Sequence, residues 1–499
     1  EIMPIVGGEE LPTGETITLT APHDHELELA TVHLGTEKLA RRAVDEAMRA
    51  RRRWRRLDWT DRQAIFLRAA ELLSGSWRPI VNGATMLGQS KNAYQAEIDA
   101  ACELIDFFRF NAQFARQIYE HQPNQSPGIW NRMQYRPLEG FVFAVPPFNF
   151  TSISANLPTA PAIMGNVVVW KPALGALFSS YFVYRLLQEA GLPPGVISFL
   201  PGRGPEVGSP VIEAPDLGGL HFTGSVETFE HLWSTIGSNV SRYHSYPRIV
   251  GETGGKDFIV AHPSADPDAL ATAIVRGGYE YQGQKCSAAS RVYLPQELWP
   301  DLRDDLVERV ESLSMGPVDD FSNFVNAVID REAFEKITGY VDLARRDADT
   351  NILAGGSYSD ETGFYVEPTL VETTDPRHRL MVEEIFGPVV TLYVYPGDRF
   401  EAMLDHVDQT SPYGLTGGVF AQDREAVATA TEKLEYAAGN FYVNDKPTGA
   451  VVGQQPFGGA RKSGTNDKAG SVWNLARWTS PRAVKETFDP PTSHTYPFQ

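Results

Sequence analysis

The sequence predicts an α/β protein built on a parallel sheet with helices on both faces. Three observations carry that expectation. Short apolar runs recur from about Gly140, at residues 141–145, 167–170, 196–199 and 220–222. Helical stretches separate them, the clearest carrying Tyr181, Val183, Leu186 and Leu187 and stopping at Gly191 and Pro193. A strand–Gly–Ser turn, Phe222-Thr223-Gly224-Ser225, then enters a further helix. Strands covered on both faces lose the apolar/polar alternation of a half-exposed sheet, so continuous runs between helices indicate a buried parallel sheet. Such sheets bind nucleotides at the carboxyl ends of their strands. No GxGxxG is present, so the dinucleotide reading cannot rest on that fingerprint.

The remaining elements follow in chain order. Leu39, Ala40, Ala43, Val44, Ala47 and Met48 recur at helical spacing after Thr36, which reads as an N-cap. Thr60 and Gln63 suit a capping box ahead of Phe66, Ala69, Ala70 and Leu73. The basic run at residues 51–56 reads as a solvated helix end, where cations suit the C-terminal dipole. A second α/β region starts near Gly254 and runs to about Gly470, and the tail after Ser480 is rich in Pro and Thr.

Composition narrows the function classes. The 499 residues suit two or more domains, and 42% hydrophobic with 21% charged residues is ordinary for a globular chain. A net charge of −19 argues against nucleic-acid and anionic-membrane partners. Two cysteines, Cys102 and Cys286, are too few for a disulfide scaffold or a cysteine metal cluster, and no metal site is expected. No run approaches the ~18 apolar residues that span a bilayer. Residues 1–4 do not read as a secretory signal. A reducing compartment, the cytoplasm, is the expected setting.

Six stretches carry chemistry. In Gln284-Lys285-Cys286-Ser287-Ala288, a cysteine beside a lysine is a candidate nucleophile, since a nearby cation favours the thiolate. Cys102, in Ala100-Ala101-Cys102-Glu103-Leu104, looks like a helix-face residue and is assigned to packing. In Val250-Gly251-Glu252-Thr253-Gly254-Gly255-Lys256, a glutamate among glycines suits a general base at a strand end; taken alone, a surface-turn acid is the favoured reading. Asn149, between Phe148 and Phe150, is a structural hydrogen-bonder or an oxyanion donor. Lys171 follows the apolar run 167–170, Gly224-Ser225 suits a phosphate, and the sixth stretch is Glu383-Glu384-Ile385-Phe386-Gly387-Pro388.

Together, and in this order, these stretches resemble the aldehyde dehydrogenase family over nearly the whole chain. The resemblance implies a Rossmann-like cofactor domain (residues 1–121 and 142–252), an α/β catalytic domain (253–475) and a small β oligomerisation element (122–141 and 476–499). It implies that Cys286 attacks an aldehyde, that Asn149 and a backbone N–H at Cys286 hold the oxyanion, and that Glu252 activates the water that hydrolyses the thioester. It places Lys171 near an adenosine ribose, Gly224 and Ser225 near a pyrophosphate, Glu384 near the nicotinamide ribose and Phe386 near its ring. NAD is the expected cofactor. NADP stays open, because Leu174 and Gly175 stand where many relatives carry an acid that repels a 2′-phosphate.

A finer likeness lies in residues 103–111, in Gly278-Tyr279-Glu280-Tyr281 and in residues 448–464. These are similar to the branch whose members oxidise L-glutamate γ-semialdehyde, in equilibrium with pyrroline-5-carboxylate, to L-glutamate in the second step of proline catabolism. The likeness implies that Gly449, Ala450 and Ser287 bind the substrate carboxylate, that Glu103 lies near its ammonium, and that Phe150 and Phe457 wall its aliphatic chain. The implied partners are a small amino-acid aldehyde and further copies of the chain, as a homodimer or larger homo-oligomer. The implied setting is the cytoplasm, or the mitochondrial matrix for a eukaryotic source. The alternatives are an aldehyde dehydrogenase with another substrate, and a non-catalytic binding protein on the same fold.

Overall fold

The computed structural model describes residues 1–496 and 498–499. Its first sheet has seven strands: β1 (Ile5–Val6), β2 (Glu9–Glu10), β3 (Phe141–Val145), β4 (Val167–Trp170), β5 (Ile197–Phe199), β6 (Leu217–Thr223) and β7 (Arg248–Glu252). Their spatial order is β7-β6-β3-β4-β5-β1-β2. The five from β3 to β7 pair in parallel, and β1 and β2 close the edge antiparallel. From β3 the chain winds outward through β4 and β5, then returns to place β6 on the other side of β3. That reversal opens a crevice at the carboxyl ends of β3 and β6, the place where such sheets hold ligands.

Helices cover this sheet. The α1 helix (Glu37–Trp54) starts at Thr36, whose hydroxyl accepts the Leu39 N–H. The capping box expected in α2 (Trp59–Ser74) is not formed. Asp58 is the N-cap, accepting from the Thr60 N–H, and Gln63 turns inward to donate to the Ala112 carbonyl. Further covering comes from α3 (Leu104–Glu120), α4 (Thr151–Ile163), α5 (Leu177–Glu189) and α6 (Val226–Ser238). The strands β3 to β6 are buried throughout apart from Val145, as their continuous apolar runs require. The first 33 residues carry short strands, including a ribbon of Thr16–Ala21 with Asp24–His33, ahead of the helical part.

The second sheet orders as β10-β11-β12-β9-β8-β13-β14. These are β8 (Asp257–Ala261), β9 (Ala289–Pro295), β10 (Thr350–Ala354), β11 (Thr369–Thr373), β12 (Val389–Tyr395), β13 (Thr416–Phe420) and β14 (Asn440–Val443). All pair in parallel except β10, which joins the edge antiparallel. The chain passes from the first sheet to the second through residues 253–256, so Glu252 stands at the joint between them. Residues Ile129–Pro137 and Thr479–Thr487 pair antiparallel over nine positions as a separate two-stranded ribbon. Among the described residues no helix is long and apolar enough to cross a membrane.

Candidate active site

A cavity of about 960 Å³ runs between the two sheets and is lined by Cys286, Glu252, Ser287, Gly449, Ala450 and Phe457 among others. Glu103 and Phe150 line it as well. All the sequence-expected substrate residues therefore face one space, together with the candidate nucleophile and base.

Cys286 enters this space from an unusual backbone. The segment Glu280–Gly283 ends the helix Pro267–Tyr279, and in it Tyr281 (φ 53°) and Gln282 (φ 56°) adopt left-handed conformations. For non-glycine residues such dihedrals cost of order 1–3 kcal/mol and persist only when neighbours hold them. Here the Gln282 amide donates to the Ser90 and Ala327 carbonyls and accepts from the Asn326 N–H. Gln284 accepts from the Ile329 N–H, and its carbonyl accepts from the Asn149 side-chain amide at 3.1 Å. Asn149 is thus fixed to the cysteine loop while one of its two amide hydrogens stays free.

Burial pushes the Cys286 thiol well above its ordinary pKa, and the nearby carboxyls of Glu252, Asp257 and Glu384 push the same way. The expected help from Lys285 is absent. Its ammonium pairs with Glu280 at 3.0 Å, and Glu280 also holds Arg276 at 2.6 Å. The resting cysteine is therefore a protonated thiol that needs a proton acceptor before it can attack.

Glu252, the last residue of β7, can be that acceptor. Its side chain faces the cavity, yet protein surrounds it closely enough that desolvation raises its pKa to about 8. Lys468 opposes the rise and Asp467 adds to it. One carboxyl oxygen, Oε1, is buried without a hydrogen-bond partner. A carboxyl poised near neutrality, with an oxygen left over, is equipped to take a proton from a thiol or a water.

The substrate end is polar. The Ser287 hydroxyl donates to the Thr448 hydroxyl at 2.9 Å, joining the cysteine segment to the loop of Gly449 and Ala450. Gly449 has φ +91°, a conformation that L side chains rarely adopt. Glu103 is desolvated, and its pKa rises to about 8 with Asp99 adding to the rise.

The residues expected near a cofactor lie outside this cavity, at the carboxyl edge of the first sheet and opposite it. Lys171 directly follows β4, and burial alone lowers its pKa to about 8, with no carboxylate to offset the loss of water. Gly224 and Ser225 follow β6. Ser225 is the N-cap of the 13-residue α6, accepting the Thr228 N–H, which leaves first-turn N–H groups free. Glu384 accepts the Gly255 N–H at 2.9 Å. A Cβ on Gly254 would come within 2.3 Å of that carboxylate, so any side chain there would displace Glu384. Phe386 adopts φ 60°, and its ring meets Phe148 edge-on at 5.8 Å. A half-buried, desolvated cation without a counter-charge, free helix-terminal N–H groups and a desolvated carboxylate fit the phosphates and hydroxyls of a dinucleotide.

Cys102 departs from expectation. Residues Glu97–Glu103 form a π-helical turn, which adds a residue and rotates the face. Ala100 and Ala101 are buried, but Cys102 is exposed beside Arg78 and Glu97. Sequence reasoning also missed four residues of the site. Thr448 opens the stretch 448–464 quoted for the family likeness and Lys468 lies just beyond it, but nothing local marks them. Lys91 and Asp99 form an ion pair at 2.6 Å, each side chain only 1% exposed. Their spacing of eight positions crosses a helix break and gives no periodic signal.

The aldehyde dehydrogenase family pattern matches residues 11–484. The chain is 52% identical over 497 residues to the mitochondrial Δ1-pyrroline-5-carboxylate dehydrogenase of Dictyostelium discoideum, covering 99% of this chain and 89% of that one. It is 50% identical over 495 residues to the mitochondrial protein of that name from Bos taurus, covering 99% and 88%. The crystal structure of the Δ-pyrroline-5-carboxylate dehydrogenase from Mycobacterium tuberculosis bound with NAD superposes with a TM-score of 0.96 at 53% identity, covering 100% of this chain and 92% of that one. With a family match across nearly its whole length and a cavity that joins a buried cysteine to a buried glutamate, the chain belongs to the aldehyde dehydrogenase family.

Proposed function

We propose that the protein oxidises L-glutamate γ-semialdehyde to L-glutamate with NAD, the second step of proline degradation. The observation that carries this reading is the meeting, in one cavity, of a cysteine–glutamate pair with the Ser287–Gly449–Ala450 anchor. The names of the relatives at about 50% identity support it.

In this mechanism Glu252 takes the Cys286 proton, and the sulfur attacks the aldehyde carbon. The free amide hydrogen of Asn149 and the Cys286 backbone N–H stabilise the oxyanion. NAD, when bound, supplies an acceptor for the hydride that leaves the tetrahedral carbon. A thioester on Cys286 remains. Glu252 passes the thiol proton to solvent and, ionised again, takes a proton from water as the water attacks that thioester; the C–S bond breaks, the sulfur takes the proton back from Glu252, and glutamate departs. At the cofactor edge, Lys171 would hold the adenosine ribose, Gly224 and Ser225 the pyrophosphate, and Glu384 the nicotinamide ribose, with Phe386 near its ring. The absence of an acid at Leu174 and Gly175 makes NADP the second cofactor to assay.

At the substrate end, the N–H groups of Gly449 and Ala450 hold the carboxylate, and the Ser287 hydroxyl turns from Thr448 to donate to it. Glu103 lies toward the ammonium, and Phe150 and Phe457 flank the methylenes. A substrate panel tests this reading: NADH formation is measured with glutamate γ-semialdehyde, succinate semialdehyde and aliphatic aldehydes, each with NAD and NADP. A clear preference for glutamate γ-semialdehyde is expected, and a preference for any other aldehyde refutes the assignment.

We also propose a domain plan of residues 1–121 and 142–252 for NAD, 253–475 for catalysis, and 122–141 with 476–499 for oligomerisation. The ribbon of Ile129–Pro137 and Thr479–Thr487 supports the last part. It is a two-stranded sheet with open edges and only partly buried faces, and such ribbons are marginal alone. A homodimer or larger assembly is expected by sedimentation. A reducing setting, cytoplasm or mitochondrial matrix, suits a chain whose reactive cysteine must stay a thiol, and the Dictyostelium and Bos relatives are named mitochondrial.

A further inference from the structure

We propose that the buried Lys91–Asp99 ion pair is a positioning device that holds the Asn149 segment and the Cys286 loop in one reactive geometry. The inference rests on the proposed thiol chemistry.

Asp99 uses both carboxylate oxygens fully. Oδ2 accepts from Lys91 Nζ at 2.6 Å and from the Thr151 N–H at 2.9 Å. Oδ1 accepts from the Ser152 N–H at 2.9 Å and its hydroxyl at 2.8 Å. Thr151 and Ser152 open helix α4, whose N-cap residue is Phe150 and has no capping side chain. Asp99 therefore caps that helix from a different part of the chain, satisfying N–H groups that would otherwise be orphaned. In doing so it fixes the direction in which residues 149 and 150 enter α4.

Lys91 makes the second connection. Its ammonium stands 4.1 Å from the centre of the Phe150 ring and 4.4 Å from that of Tyr281. Tyr281 is one of the two left-handed residues of the cysteine loop. Desolvated cation–π contacts are attractive on both faces. The ammonium is thus clasped between the segment that carries Asn149 and the loop that carries Cys286. The Asn149-to-Gln284 hydrogen bond at 3.1 Å spans the same two segments. A buried ion pair is weak as a source of stability, because desolvation offsets its attraction, whereas its directional contacts select one arrangement. Lys91 and Asp99 also line the cavity beside Glu103 and Phe150, so a shift of the pair would be felt at the reacting atoms.

The test is the double substitution Lys91→Met/Asp99→Asn, which removes both charges together and leaves no unpaired buried ion. Pre-steady-state NADH bursts are measured with glutamate γ-semialdehyde and with pentanal, alongside NAD affinity and inhibition by glutamate. The burst rate per reactive thiol is expected to fall by about ten- to a hundredfold, since misplacing reacting groups by about 1 Å costs on the order of 10²-fold. NAD affinity and glutamate inhibition should stay within about threefold of wild type, giving a kcat effect with little KM effect. A merely structural role would lower the number of active thiols and leave the rate of each unchanged, and that result overturns the proposal. If the double variant does not fold, Tyr281→Leu takes its place with the same readout, because it removes one ring face and leaves the pair and the helix cap. A wild-type enzyme that bursts only with pentanal would refute the substrate reading, and the pentanal burst would still decide the role of the pair.

Discussion

Replacing Glu252 by Gln separates two consequences of burying this carboxyl. The first is kinetic. Gln keeps the shape but cannot accept a proton, and general-base assistance contributes about 10²–10⁴-fold. Steady-state turnover should fall by that order, and the single-turnover burst of NADH should slow as well, because Glu252 takes the Cys286 proton as well as that of the hydrolytic water. The second is thermodynamic. Burial raises the Glu252 pKa from 4.5 to about 8, a cost of charging of order 5 kcal/mol. A carboxyl whose folded pKa is raised supports the fold below its unfolded pKa and loses that support as pH climbs through the folded value. The wild type should therefore lose stability relative to Glu252→Gln between pH 5 and 8, by about 3 kcal/mol at pH 7. The assay is thermal unfolding of both ligand-free proteins at pH 5, 6, 7 and 8, with rapid-mixing kinetics at pH 7.5. A melting-temperature gap that does not change with pH would refute the burial argument. A burst of undiminished rate would refute the role of Glu252 as acceptor of the Cys286 proton and confine it to the hydrolytic water.

Other perturbations test single parts of the site. Cys286→Ala should abolish NADH formation, to below about 10⁻³ of wild type, while leaving melting temperature and NAD binding near wild type; Cys102→Ala, at an exposed position, should leave activity within about twofold in the same assay. Gly254→Ala places a methyl within 2.3 Å of the Glu384 carboxylate and should raise the KM for NAD by at least about tenfold, read by initial rates at fixed aldehyde. Ser287→Ala removes a hydroxyl on the proposed carboxylate anchor, and kcat/KM for glutamate γ-semialdehyde should fall by about tenfold or more while that for pentanal changes little.

The strands β3 and β4 were legible as continuous apolar runs because both their faces are covered. Only residues 220–222 of β6 stood out, since Gly218 and Gly219 break the hydrophobic pattern within a fully buried strand. The N-terminal strands gave no comparable signal because β1 and β2 span two residues each and the ribbon that follows is largely exposed. Cys286 and Glu252 could be singled out because glycines and small residues surround them, and the fold explains why: a Cβ at Gly255 would lie 2.2 Å from the Cys286 carbonyl oxygen. The electrostatics could not be read. Adjacency of Lys285 to Cys286 suggested a thiolate partner, but side-chain direction sends that ammonium to Glu280. The exposure of Cys102 depends on a π-helical turn, which no 3.6-residue period reveals. Ser287–Thr448 and Asp99–Ser152 join residues 161 and 53 positions apart, contacts that exist only once the sheets have assembled.

The most direct measurement compares kcat/KM for L-glutamate γ-semialdehyde with that for pentanal, an aldehyde of equal carbon count without the carboxylate and ammonium. Charge-assisted hydrogen bonds contribute about 1.5–3 kcal/mol each, and a site built to receive them rejects a partner that leaves its donors unpaired. With the Ser287 hydroxyl and the loop N–H groups of Gly449 and Ala450 acting together, the account predicts a preference of at least about 10³-fold for the amino-acid aldehyde, with glutamate competing against it. Equal values for the two substrates would show that the loop does not read the carboxylate and would contradict the assignment.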